Sequence, residues 1–220
     1  MRTDRKRIVA TAIEARFCLQ WSMVNIHCII ERMDCLNGTT SAQTKECLNS
    51  SEGAMKTPDG WCSDAELEWL SHAATRREVI IELGTHKGRS TSALCSGGKV
   101  ICCDIWRAHE GAYESFIGSF MSEIQSGKVV PRRINLYAID DPDRVQLIED
   151  YAGSADMVFI DAAHGKWHCI SDISLARLLL KPRGLLCGHD LCDGWLGVRE
   201  ALDACAITYQ REAGSIWREC

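Results

Sequence analysis

Two acidic residues and two glycines form the first group of residues that could do chemistry. Glu82 ends an apolar run, Gly84 and Gly88 follow it, and Asp104 ends a second apolar run. Because glycine has no Cβ, a turn built on Gly84 and Gly88 can take positive φ and let a ligand approach the backbone. A carboxylate at the end of the second strand can accept two hydroxyl protons, so Asp104 suits a ribose diol.

The spacing of these residues separates two classes of cofactor. A dinucleotide site needs the pattern G-x-G-x-x-G, because its pyrophosphate binds at a helix N-terminus. Here the pattern is Gly84-x-x-x-Gly88, and Glu82 would repel a phosphate. S-adenosylmethionine (SAM) carries a sulfonium and an ammonium group and no phosphate. The pattern therefore favours SAM, and it leaves a NAD-dependent oxidoreductase as the alternative.

Five further residues are candidates for contact with the same cofactor. Thr85, Ser90 and Thr91 are small hydroxyl residues in the turn and at the start of the helix that follows it. Trp106 lies just past Asp104 and could stack on an adenine ring, although a core or rim tryptophan is an equal interpretation. Asp140 ends a predicted third strand, where a carboxylate could reach the adenine or simply cap the next helix.

A second group combines carboxylates with histidines. Asp161 ends one apolar run and His164 follows it, while His189 and Asp190 end a later apolar run. In a parallel sheet these strand ends face one crevice. Carboxylates with a histidine can bind Mg²⁺ or Mn²⁺, so Asp161, His189 and Asp190 are candidate metal ligands. The ion would lower the pKa of a substrate hydroxyl, and His164, together with Asp161, is the candidate catalytic residue that would take its proton.

The hydrophobic pattern predicts the elements that must position both groups. From Trp61 onward, apolar strand candidates alternate with helical stretches, which is typical of βαβ units and a parallel sheet. The predicted strands are 78–83, 99–104, 134–139, 156–161, 183–189, 206–210 and 215–218. The predicted helices are near 89–96, 111–126, 142–152, 167–180 and 196–204, after a helix start at Ser63. The sequence thus predicts an α/β fold with a doubly wound, mostly parallel Rossmann-like sheet and helices on both faces.

The first part of the chain has a different pattern. Residues 4–33 are periodic like one helix, and residues 37–60 are rich in Ser, Thr, Asn and Gly. We therefore predict an N-terminal helix and linker over 1–58 and one catalytic domain over 59–220. The helix would act as a lid or as the contact of a homodimer, and packing on its own domain is an equal alternative.

Composition excludes several classes of function. The net charge of −5 argues against a nucleic-acid groove. The chain has no run of about 18 apolar residues, so we expect no membrane span. Its 13 cysteines are scattered and form no C-x-x-C pair, which argues against a zinc ribbon or a thioredoxin-like motif. Reduced cysteines in a cytoplasmic protein are the expectation.

Three motifs taken together resemble the class I SAM-dependent methyltransferases. The first, E-x-G-T-x-x-G-x-S-T, spans residues 82–91, the second, F-I-D-x-x-H, spans 159–164, and the third, G-H-D, ends at residue 190. This combination is similar to the subgroup that methylates hydroxyls of sugars and macrolides, and the similarity covers residues 59–218.

The resemblance implies a seven-stranded sheet whose last strand is antiparallel. It also implies roles for the following residues: Glu82, Gly84, Gly88 and Ser90 in the SAM site, Asp104 on the ribose, Asp161 and Asp190 as metal ligands, and His164 as the base. The chain departs from the subgroup at Arg183, where a glycine is usual, and at Lys166-Trp167, where a tyrosine often stands. Leu191 stands where catechol-type relatives have Asn, so the catechol pattern is broken. These departures leave the substrate class open.

We therefore expect a SAM-dependent O-methyltransferase that acts on a small hydroxylated molecule, such as a sugar or a polyketide. Mg²⁺ or another divalent metal would assist it, and no nucleic-acid or membrane partner is expected. Two alternatives stay open, a NAD-dependent oxidoreductase and a non-catalytic SAM-binding or interaction protein.

Overall fold

The first described helix begins with a cap that the sequence encodes locally. The structure, a computed structural model, describes residues 57–107 and 109–220. Helix α1 (Asp64–Ala74) starts at Ser63, whose hydroxyl accepts from the backbone N–H of Glu66 while the Glu66 carboxylate accepts from the N–H of Ser63. This reciprocal pair is a capping box and confirms the predicted helix start. The predictions for the N-terminal helix lie outside the described residues, and the division at residue 58 stays a prediction.

The central strands are nearly continuous apolar runs. They are β1 (Val79–Leu83), β2 (Lys99–Asp104) and β4 (Ala155–Ile160), and every residue of β4 is buried. Strands with this composition fit a parallel sheet that is covered on both faces. The outer strands are β3 (Val129–Arg133), β5 (Leu180–Gly188), β6 (Tyr209–Arg211) and β7 (Trp217–Glu219).

The seven strands form one sheet in the order β3-β2-β1-β4-β5-β7-β6. Strands β1 to β5 pair in parallel, and β7 pairs antiparallel with both β5 and β6. The strand order reverses between β1 and β4, and right-handed crossovers on either side of that point place helices on both faces. The doubly wound, mostly parallel sheet is therefore confirmed, and the reversal point is where such sheets bind ligands.

Within residues 57–107 and 109–220, six further helices lie between the strands. They are α2 (Arg89–Leu94), α3 (Ala112–Ser119), α4 (Met121–Gln125), α5 (Pro142–Tyr151), α6 (Lys166–Leu179) and α7 (Leu196–Ala204). They lie where the sequence predicted helices, except that the single helix predicted over 111–126 is two helices joined at Phe120, where φ is −118°. Among the described residues, no helix is long and apolar enough to cross a membrane.

The third strand was predicted at the wrong place. The alternating segment 134–139 forms turns, and the strand is Val129–Arg133, which contains Pro131. Strand β3 lies at the edge of the sheet, beside β2 alone. Because proline lacks an N–H, it is tolerated on an edge strand and excluded from a central one. The segment after β3 instead becomes a loop that lines the crevice.

Candidate active site

The loop after β1, which we name the cofactor turn (Gly84–Gly88), takes its shape from two left-handed glycines. Gly84 has φ of 93° and Gly88 has φ of 90°. A Cβ on Gly84 would lie 2.1 Å from the carbonyl oxygen of Asp161, and one on Gly88 would lie 2.4 Å from the ring of Phe120. No side chain fits at either position, so both predicted glycines are required by geometry.

The side chain of Glu82 stabilises the cofactor turn through hydrogen bonds. Its buried carboxylate accepts hydrogen bonds from the hydroxyls of Ser90 at 2.6 Å, Thr91 at 2.6 Å and Thr85 at 3.1 Å. Burial raises the pKa of Glu82 to about 7, even though the three hydroxyl donors lower it. These four predicted cofactor residues therefore lie beneath the turn and connect it to β1 and α2. Their contact with a cofactor stays a prediction.

Asp104 faces the cofactor turn from the end of β2. One carboxylate oxygen accepts from the backbone N–H of His86 at 2.8 Å, and the other accepts from the N–H of Trp106 at 2.7 Å. Each carboxylate oxygen has two lone pairs, so each can accept one further hydrogen bond. Asp104 is therefore able to receive two vicinal hydroxyls, as the sequence predicted for a ribose.

A cavity of about 320 Å³ lies between the cofactor turn and the ends of β2 and β4. Its lining includes Gly84, Asp104, Trp106, Asp161 and His164, which joins both predicted groups of residues in one crevice. The other lining residues are Trp61, His86, Ile105, His109, Ala112, Ile134, Asn135, Leu136, Tyr137, Ala162 and Ala163.

Two predicted adenine contacts have different positions. Trp106 is buried, and its indole N–H donates to the carbonyl of His86 at 2.6 Å, so it borders the cavity as a fixed wall. Asp140 is exposed in the turn before α5, and it does not line the cavity. The reason is the misplaced third strand, because the loop after β3 presents Asn135 and Tyr137 to the cavity instead.

The second predicted group also converges. We name Asp161, His164, His189 and Asp190 the acid–histidine cluster. Nε2 of His164 lies 2.6 Å from Asp190, and Nδ1 of His189 lies 3.3 Å from Asp190 and 3.5 Å from Asp161. The four residues come from the ends of β4 and β5, so the predicted meeting of these strand ends is confirmed.

The charges in the acid–histidine cluster are shared unequally. Burial raises the pKa of the Asp161 carboxyl, with hydrogen bonding from His189 acting against it. Burial also opposes ionisation of Asp190, but hydrogen bonds from His164 and His189 hold its pKa well below the usual range. For His189, burial alone would lower the pKa, and its carboxylate partners raise it instead. The cluster thus concentrates negative charge at Asp190.

Sequence reasoning missed four residues next to the cluster. Glu66 accepts from Nε2 of His189 at 3.0 Å, and the hydroxyl of Tyr137 accepts from the backbone N–H of Ala163 at 3.0 Å. The ring of Trp195 stacks on His164 with centroids 4.3 Å apart. The fourth residue, Cys62, has a ligand atom within 4.8 Å of those of Asp161 and His189. The Ser63–Glu66 cap was visible in the sequence, but nothing local marked its contact with His189.

Comparison with known structures supports the fold. An O-methyltransferase from Bacillus cereus, in complex with SAH, is 18% identical, with 96% of this chain and 99% of that chain covered and a TM-score of 0.56. Cofactor-bound Rv0187 from MTB is 18% identical over 75% of this chain and 83% of that chain, with a TM-score of 0.56. CalS11, a TDP-rhamnose 3'-O-methyltransferase, is 12% identical over 70% of this chain and 76% of that chain, with a TM-score of 0.52. No curated protein sequence matches this chain.

The family is shown by a sequence model rather than by these distant structures. A family model described as a methyltransferase domain matches residues 81–191, about half of the chain. The matched range begins in β1, includes the cofactor turn and ends just after Asp190. The chain therefore belongs to this methyltransferase-domain family, and its predicted membership of the class I SAM-dependent methyltransferases is confirmed.

Proposed function

We propose that this enzyme transfers the methyl group of SAM to a hydroxyl oxygen of a small molecule. The observation that carries the proposal is that His164, which pairs with Asp190, borders the same cavity as Gly84 and Asp104. A proton acceptor and a cofactor turn on one crevice are the two parts that methylation of a hydroxyl requires. The Bacillus cereus enzyme and the TDP-rhamnose enzyme are both O-methyltransferases, which agrees with this choice.

The cofactor end of the cavity fits SAM. Gly84 and Asp104 both line the cavity, and Asp104 has spare acceptor positions for a ribose diol. When bound, SAM supplies an electrophilic methyl group on a sulfonium. The chain's own task is to hold the acceptor oxygen in line with that methyl group and to exclude water.

His164 is the residue we assign as the base. Its Nε2 is engaged with Asp190, so the Nδ1 lone pair is the position that can accept the hydroxyl proton. Asp190 would hold the ring in this tautomer and stabilise the imidazolium that forms. Trp195 also supports this assignment, because its ring stacks on His164 and fixes the plane of the imidazole.

The acid–histidine cluster also fits a divalent ion. Asp161, His189 and Asp190 are the predicted ligands, and Asp161, His164 and Asp190 have ligand atoms within 4.8 Å of one another. Carboxylate oxygens and imidazole nitrogens suit Mg²⁺, Mn²⁺ and borderline ions. An ion held there would make an adjacent hydroxyl more acidic. The protein would then need His164 only to remove a proton that is already weakly held.

A direct test is methyl transfer by the purified full chain. SAM is incubated with a panel of sugars, sugar nucleotides, polyketides and catechols, with divalent ions or with excess EDTA, and both SAH and methylated product are measured. We expect SAH and product to appear together with at least one hydroxylated acceptor. The His164→Ala variant should lose roughly 10²- to 10⁴-fold in kcat while it still binds SAM.

The matched control is His72→Ala, because His72 is an exposed histidine on α1. It should behave as wild type. SAM binding without methyl transfer to any member of the panel would instead favour a SAM-binding protein that does not methylate hydroxyls. Undiminished activity of the His164→Ala variant would contradict the assigned base.

A further inference from the structure

We propose that Cys62 is a ligand of the ion in the acid–histidine cluster, and that this ion is a borderline cation of the zinc type rather than Mg²⁺. The role of the ion in catalysis rests on the proposed function, whereas the choice of ligands rests only on the distances between their atoms. The sulfur of Cys62, an imidazole nitrogen of His189 and a carboxylate oxygen of Asp161 all lie within 4.8 Å of one another. One sulfur, one nitrogen and one oxygen are donors that zinc accepts and Mg²⁺ does not prefer.

The backbone of Cys62 is held at this position by Arg89. Its carbonyl accepts from Nε of Arg89 at 2.5 Å, and Arg89 also donates to Pro58 at 3.4 Å and pairs with Asp64 at 3.1 Å. Arg89 is the first residue of α2, directly after the cofactor turn. The segment that carries Cys62 is therefore attached to the same helix that positions the turn, and the residue is 4% exposed.

Glu66 orients His189, as an outer carboxylate orients a zinc-bound histidine. It contacts Nε2 of His189, so Nδ1 faces Asp161 and Asp190. Glu66 is itself fixed by donors from Ser63 and Ser215. A carboxylate that holds the distal nitrogen of a histidine is the common arrangement around protein-bound metals.

Binding of the ion releases protons from the side chains that become its ligands. Zinc binds cysteine as the thiolate, so the thiol proton of Cys62 must leave when the ion enters. An incoming ion displaces that proton together with the proton on Nδ1 of His189, and both go to solvent. Three protein ligands leave a position for a substrate oxygen, as in catalytic zinc sites.

The test uses Co²⁺ as a spectroscopic probe for the ion in the full-length protein. Titration of wild-type chain with Co²⁺ should produce a thiolate-to-cobalt charge-transfer band, and Zn²⁺ but not Mg²⁺ should abolish it. The Cys62→Ser variant should lose the band. Cys95→Ser is the matched control, since Cys95 is a half-buried cysteine after α2 and outside the cluster, and this variant should keep the band. Retention of the band in Cys62→Ser, or its absence in wild type, would overturn the proposal.

Two further measurements keep the test independent of folding and of activity. X-ray absorption of the zinc-loaded wild-type chain should show one sulfur at about 2.3 Å from the ion, and a shell of oxygen and nitrogen alone would overturn the assignment. Glu66→Gln should weaken zinc binding by roughly 10- to 100-fold while the cobalt band is still reached at saturation. A chain that shows the cobalt band but methylates no acceptor would refute the proposed function and leave this ligand set intact.

Discussion

The cofactor turn and the acid–histidine cluster both contribute to the lining of the cavity, the turn through Gly84 and the cluster through Asp161 and His164, but they keep their shapes by different means. The turn is built from one continuous stretch, with left-handed glycines above and the Glu82 carboxylate below. The cluster is assembled from separate segments, and one of its hydrogen bonds joins residues 123 positions apart. A backbone-built site should fail abruptly when one Cβ is added, whereas a side-chain-built site should weaken step by step.

The largest expected effect is on the backbone side of this comparison. Gly84→Ala places a Cβ against the Asp161 carbonyl at a positive φ, so we expect the free energy of unfolding to fall by about 4 kcal/mol or more, with SAM binding lost. Urea unfolding and calorimetry with SAM would measure both. The matched control is Gly153→Ala, which also has positive φ but has no atom of the described residues within 4 Å of the new Cβ. It should cost only about 1–2 kcal/mol, and equal costs would contradict the argument.

A second effect tests the buried carboxylate of Glu82, which stabilises the turn. The pKa of Glu82 is about 7 in the folded chain, compared with an ordinary value of 4.5. The folded chain therefore binds this proton more tightly than the unfolded chain, and the resulting stability is present below about pH 4.5 and lost as the pH rises through 7. Relative to Glu82→Gln, the unfolding free energy of wild type should fall by about 3 kcal/mol across that range. Urea unfolding at several pH values gives the two curves, and parallel curves would rule out Glu82 as the cause.

A third, smaller effect belongs to the loop between Asp161 and His164. Tyr137→Phe removes the oxygen that accepts from Ala163, so the unfolding free energy should fall by roughly 1–2 kcal/mol. We also expect kcat to fall about 10-fold with little change in SAM affinity, since a shift of the loop moves the base. Tyr113→Phe is the control, because Tyr113 packs on Trp106 through its ring and keeps that contact as phenylalanine. If both variants lose kcat equally, the hydrogen bond to Ala163 does not position the loop.

The smallest effect compares two exposed tryptophans, one that stacks on the base and one that lines the cavity. Trp195 stacks on His164 and Trp61 packs on His86, and they are 47% and 74% exposed. Trp195→Leu should lower kcat about threefold with less than about 0.5 kcal/mol of stability lost, because an exposed stacked pair contributes little. Trp61→Leu should leave kcat unchanged and alter SAM affinity instead. If Trp195→Leu altered SAM affinity and Trp61→Leu lowered kcat, the assignment of Trp195 to the base and of Trp61 to the cofactor would be wrong.

The same contrast explains how far the sequence could be interpreted. Gly84, Gly88 and Asp104 were predictable because a strand, a turn and a strand end encode the cofactor turn locally. Asp161, His164, His189 and Asp190 were predictable because parallel topology alone brings strand ends together. The prediction of parallel strands followed from the alternation of strands and helices and not from any single residue.

Contacts across the chain could not be predicted in this way. The spacing of Ser63 and Glu66 indicated a helix cap. Because capping alone explains an acidic residue at position 66, nothing in the sequence indicated its contact with His189. The third strand was placed wrongly. Whether a proline such as Pro131 is tolerated in a strand depends on whether the strand is at the edge, which only the assembled sheet decides. Asp140 was misplaced as a consequence, and Tyr137 was missed.

The close approach of Gly84 to the Asp161 carbonyl has an evolutionary meaning under the proposed function. It makes the spacing between the cofactor turn and the start of the loop that carries His164 a property of two main-chain segments. The contact on the base itself, by contrast, comes from a side chain, Trp195, which can be replaced without changing that spacing. A lineage with this design can acquire a new acceptor by single substitutions and inherit the geometry of transfer unchanged.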